Sequence, residues 1–164
     1  KFHQYYDGLN ISAEDASNLR RLMERPNGPK KMLVLGEDWC PDVYRGMPAM
    51  ARIAEASGME MRIFPRDENA DIMDEFLNRG EHTSIPVAVF YTKDQEYIYH
   101  WIERPVLANE ERSKIEEAVK KEMPDANEQE VRAEVRSRNQ ARFPAWQQES
   151  IREMRQALTE KLGI

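Results

Sequence analysis

Lys31-Met32-Leu33-Val34-Leu35-Gly36-Glu37-Asp38-Trp39-Cys40-Pro41-Asp42-Val43 holds the one cysteine of the chain and the signals that decide its fold. Lys31 to Leu35 is a short apolar run of the kind found in a buried strand. From Asp42 to Ser57 the pattern turns helical: Val43, Met47, Met50, Ala51 and Ala54 fall on one face, and Gly58 is placed to close the helix. Pro41 suits a first helical turn, where its missing N–H costs nothing. Cys40 is therefore expected at the N-terminus of a helix that follows a buried strand. The helix dipole and free N–H groups there favour a thiolate, and the carboxylate of Asp42 works against it. A dithiol enzyme needs a second cysteine to resolve the mixed disulfide that the first one forms. Val43 stands where that cysteine would be.

Working outward, Ser12 with Asp15 has the form of a capping box, opening a helix with Ala16, Leu19, Leu22 and Met23 as its apolar stripe. Pro26-Asn27-Gly28-Pro29 ends it. Residues 31–36 form the first strand and the alternating run 59–64 the second. Asn69 is expected to cap a helix that turns Ile72, Met73, Phe76 and Leu77 inward and closes at Gly80. Strands 87–91 and 97–102 read as a hairpin across Lys93-Asp94-Gln95-Glu96. Asn109 is expected to start a helix with Ile115, Ala118 and Val119 inward, stopped by Pro124. The elements give an α/β fold, a mixed sheet flanked by helices.

Two units are expected. Residues 1–123 make the α/β domain and 124–164 a helical extension packed on it. In the extension Asn127 and Glu130 form a second capping-box pattern before a highly charged helix, and Pro144 is expected to open a last helix. There Ile151, Met154, Leu158 and Leu162 share a face that must be buried. Packing on the same domain is the plain expectation; a lid near Cys40, or a surface for a protein partner, is the sharper one.

These residues resemble the thioredoxin superfamily. Trp39-Cys40-Pro41-Asp42 is similar to the start of a Trp-Cys-Pro-Asp-Cys active site, and Pro48 stands where thioredoxins carry a helix-kinking proline. Thr83-Ser84-Ile85-Pro86, leading into Val87-Ala88-Val89-Phe90-Tyr91, looks like the family's cis-proline loop. The resemblance spans roughly residues 12–122 and is nearest to bacterial thioredoxin-like proteins with a helical C-terminal segment. It implies a thioredoxin-like fold, Cys40 as the catalytic nucleophile, and a substrate groove made by Trp39, Pro41, Asp42, Val43, Ile85 and Pro86. It also implies a cis Ile85–Pro86 bond that exposes the Ile85 backbone to an extended substrate, which would pair like an added strand. Two positions depart from the pattern: Val43 replaces the resolving cysteine, and Val34 stands where many thioredoxins bury an acid that helps proton transfer.

The bulk properties bound the partners. A chain of 164 residues buries about 70% of its unfolded surface. One cysteine allows no internal disulfide and suits a reducing, cytoplasmic setting. No apolar stretch is long enough to span a membrane, and no signal-peptide pattern opens the chain, although Lys1 in place of Met leaves room for a removed leader. Net charge is −6, against general nucleic-acid binding. All of it belongs to residues 1–103, with 12 Lys/Arg and 18 Asp/Glu; residues 104–164 hold 12 of each. One cysteine and three scattered histidines show no metal-ligand spacing, and no phosphate loop or Ser/His/Asp signature is present, so no cofactor is expected. Nine methionines fall mostly on core stripes, as gap-fillers.

Asp42 is expected to bond helix N–H groups as an N-terminal acid, Trp39 to shape a groove rim, and His82 to be a solvated loop residue rather than a partner of Cys40. Two functions remain. One is monothiol thiol–disulfide exchange, in which Cys40 attacks a protein disulfide or that of a low-molecular-weight thiol and an external thiol releases it. The other is a redox-inactive binding module that keeps the groove and the helical extension for protein contacts.

Overall fold

The computed structural model describes residues 1–163. Its sheet is built from β1 (Lys31–Gly36), β2 (Glu60–Pro65), β3 (Val87–Tyr91) and β4 (Tyr97–Ile102). The strand order is β2-β1-β3-β4, with β1 parallel to β2 and antiparallel to β3, and β3 antiparallel to β4. The helices are α1 (Phe2–Asp7), α2 (Ala13–Glu24), α3 (Pro41–Ser57), α4 (Ala70–Met73), α5 (Val106–Glu122) and α6 (Glu128–Lys161). This is the thioredoxin-like mixed sheet with flanking helices and a long C-terminal helix.

Strand alternation divides the core in two. Met32 and Val34 on β1 stand opposite Phe90 and Ala88 on β3. With Trp101 they face Leu19 and Leu22 of α2, Met50 and Ile53 of α3, and Ile151, Met154 and Leu158 of α6. Leu33 and Leu35, opposite Val89 and Val87, face the other way, toward Met73, Phe76, Ile85 and the start of α3. The apolar stripe of α6 is thus buried in the main core. Each such side chain contributes about 2 kcal/mol by leaving water.

Four local expectations change. Asn69 is the N-cap of α4 but its side chain makes no capping bond: Nδ2 donates back to the Pro65 carbonyl at 2.7 Å. The helix after it is one α turn followed by a 3₁₀ turn, Asp74–Phe76, and Leu77 is extended. So short a helix has little stability of its own. The chain is drawn instead into a turn in which Asn78 and His82 pair, with Arg79 and Gly80 at positive φ. α5 begins at Val106 rather than Asn109, because Glu153 of α6 accepts the Val106 N–H at 2.7 Å and caps the helix from 47 residues away. α1 forms ahead of the first helix expected from sequence. Finally, Pro144 opens no helix: α6 runs unbroken through it for 34 residues, about 51 Å. An interior proline removes one backbone hydrogen bond and crowds the preceding turn, at a cost of about 3 kcal/mol. Here Phe143, Trp146 and Gln147 are buried on the adjoining turns and hold both sides in line. The Asn127–Glu130 capping box is formed in full.

Candidate functional site

β1 ends at Gly36, where a Cβ would stand 2.9 Å from the Val43 side chain and 3.0 Å from Met47, so only glycine lets the strand pass this close to α3. Beyond it, Cys40 is the N-cap of α3, extended at φ −84 and ψ 124. Its carbonyl accepts from the N–H groups of Val43 and Tyr44 at 3.0 and 3.1 Å, closing the first turn. Pro41 occupies that turn and Gly58 ends the helix at φ 81. The Cys40 thiol is half-buried, makes no capping bond, and lies 4.0 Å from the Ile85 carbonyl oxygen.

The Ile85–Pro86 peptide bond is cis. α3 approaches this loop through Gly46, where a Cβ would be 3.1 Å from Pro86 Cγ. Trp39 is 56% exposed, with the Arg66 guanidinium 5.3 Å from its ring centroid. Arg66 also donates to the Thr83 carbonyl at 3.2 Å, tying Trp39 to the loop that enters Pro86. Trp39, Cys40, Ile85 and Pro86 are therefore brought to one corner. Ile85 is buried, and its carbonyl oxygen lies beside the thiol. Val43 is fully buried among the residues under Gly36, and its side chain forms no groove wall. His82 is exposed in its turn. Val34 lies fully buried in the core, with no acid in its place.

Asp42 does something other than bind helix N–H groups. Its two oxygens lie 2.7 Å from Arg45 and 2.7 Å from Arg104, with Arg112 at 3.8 Å. Arg104 also pairs with Glu103. One carboxylate shared by three guanidiniums no longer presents an uncompensated negative charge beside Cys40. Arg45 is 1% exposed and held between Phe143 and Trp146, its guanidinium 5.1 and 5.3 Å from their centroids. Burial pushes the Arg45 guanidinium down from its ordinary range, and Asp42 opposes that shift. Burial likewise pushes the Tyr44 phenol up. Of this cluster only the Asp42–Arg45 pair, three apart on a helix, carried a signal in the sequence. Arg66, Arg104 and Arg112 reach the site from other elements.

Among the described residues there is no cluster of three or more His, Cys, Asp or Glu side chains that could hold a metal ion. No helix among them is long and apolar enough to cross a membrane.

A thioredoxin family model matches residues 1–118, and the chain belongs to that family. A crystal structure of a protein of unknown function from Pseudomonas aeruginosa is similar at a TM-score of 0.63 and 18% identity, covering 97% of this chain and 80% of that one. An HIV epitope-scaffold is similar at a TM-score of 0.60 and 19% identity, covering 97% and 81%. At these identities the likeness is one of fold. No curated protein matches the chain.

Proposed function

We propose that the protein is a monothiol exchanger. The observation that carries this reading is a half-buried, uncapped thiol at the first turn of α3, beside the Ile85 carbonyl, in a chain with no second cysteine. The Cys40 thiolate attacks one sulfur of a disulfide, forms a Cys40 mixed disulfide, and expels the other sulfur as a thiolate. A thiolate from outside the chain then attacks the substrate-derived sulfur, forms a new disulfide with it, and releases Cys40. Two disulfide exchanges leave the protein unchanged. Trp39, Pro41 and the Asp42 cluster frame the thiol, and the backbone at Ile85–Pro86 receives an extended substrate. The substrate class is a disulfide-bearing protein or low-molecular-weight thiol, and a lone thiol suits the reducing cytoplasm of a bacterium.

The competing reading is a binding module that has lost its redox role, favoured by the buried valines at 34 and 43. Mass spectrometry after exposure to hydroxyethyl disulfide separates the two. The exchanger forms a single adduct on Cys40, absent in Cys40→Ser and released by added mercaptoethanol. An alkylation rate no faster than that of free cysteine, together with no captured adduct, leaves the binding module. Val43→Cys extends the test. The introduced thiol replaces a side chain of similar size one turn along, so it forms a disulfide with Cys40, and dithiothreitol-driven insulin reduction rises from near zero.

A further inference from the structure

Against the Asp42 cluster lies a cavity of about 940 Å³, walled by the first turn of α3, by α5 and by the N-terminal half of α6. Its lining carries five cationic side chains and three carboxylates. The carboxylates are already engaged: Glu116 with Lys120 at 2.6 Å, Glu128 with Arg132 at 3.0 Å, and Asp42 with its arginines. Among the described residues Arg112 pairs only with the shared Asp42, at 3.8 Å. Arg136 has no carboxylate partner among the described residues.

Arg45 adds an independent observation. It lines the cavity while 1% exposed, and its Nε has no hydrogen-bond acceptor. Nη2 pairs with Asp42 at 2.7 Å. A buried charged donor without an acceptor is costly. Asn139 leaves a buried orphan of the opposite polarity, its Oδ1. Beside them Tyr44 and Phe143 supply flat apolar wall, with Trp146 buried behind. A buried donor lacking an acceptor, under-neutralised arginines and aromatic surface converge on one ligand chemistry.

We infer that this cavity is a binding site for a small organic oxyanion, a carboxylate or phosphate carried on a flat apolar body. The oxyanion takes the Arg112 and Arg136 side, drawn by the positive field of Arg45, and the apolar body lies against the aromatic wall. The site is built from residues other than Cys40 and stands whether or not Cys40 exchanges disulfides.

Calorimetric titration of the full chain with phenyl phosphate and with benzoate tests this, alongside benzyl alcohol as an uncharged ring. At least one anion binds saturably and shifts the Trp146 indole N–H resonance, while benzyl alcohol does neither; the tighter anion identifies the headgroup. Arg112→Gln and Arg136→Gln each weaken binding by about tenfold, the scale of one charge-assisted hydrogen bond. Arg62→Gln, on the exposed edge strand, leaves it unchanged. Arg45→Met removes a buried group and risks the fold, so the two surface arginines carry the test. No saturable binding by either anion at concentrations on the order of 10 mM overturns the inference. So does binding that the Arg112→Gln/Arg136→Gln double variant retains at full strength.

Discussion

The two halves of α6 are one continuous helix with opposite roles. From Phe143 onward the helix buries Phe143, Trp146, Ile151, Met154 and Leu158. From Glu128 to Arg142 no residue is buried. That half is tied to α5 by charge pairs, Arg138 to Glu122 and Arg142 to Glu111, and it walls the cavity. Apolar burial anchors a helix in a core, whereas exposed ion pairs contribute little and orient it. The C-terminal half is therefore part of the core, and the N-terminal half forms a wall of the cavity.

The contrast is broken most severely at Trp146. Trp146→Ala is expected to cost about 3–5 kcal/mol, since the side chain is fully buried and its Nε1–H donates to Glu111 at 2.6 Å. Urea unfolding measures the loss, and a cost below about 1 kcal/mol would mean that the second half is not a core element. Pro144→Ala tests the junction. It restores a helical N–H at an exposed position and should gain about 1–2 kcal/mol in the same assay. A loss instead would show that the proline sets a bend on which the Trp146 contact depends. Val131→Ala, in the first half, should change stability by no more than about 0.5 kcal/mol, because the residue lines the cavity without being buried.

The smallest expected effect is one of pH. The Arg142 hydrogen bond, joined by Trp146, holds the Glu111 carboxyl below its ordinary value. A carboxyl lowered in the folded state adds stability above its unfolded value, near pH 4.5, and loses it as pH falls toward the folded value. Glu111→Gln should therefore flatten the decline in stability below about pH 4.5 while leaving other acid-sensitive pairs in place. An unchanged acid limb would place the anchorage of α6 elsewhere.

How much of this was legible in the chain follows the range of each interaction. The strand–cysteine–helix order, the hairpin at 93–96 and the Asn127–Glu130 cap are local patterns, and each appears at its expected place. Corrections fall where a distant group intervenes. Glu153 moves the start of α5, the Asn78–His82 turn truncates α4, and packing around Phe143 and Trp146 carries α6 through Pro144. In the site, Cys40 and Pro86 were readable because each belongs to a compact motif. Arg66 and Arg104 were not, since a surface arginine and a site arginine look alike in sequence.

By itself the sequence determined the four strands, the position of Cys40 at a helix start, and the absence of a second thiol, because alternation, capping and composition act over a few residues. Only the tertiary structure decided what surrounds that thiol. Asp42 meets Arg104 from 62 residues away, Arg45 is enclosed by Phe143 and Trp146 of α6, and a cavity opens where α5 and α6 pass the first turn of α3. Charge compensation and enclosure arise from packing between elements, and no local pattern encodes which elements will meet.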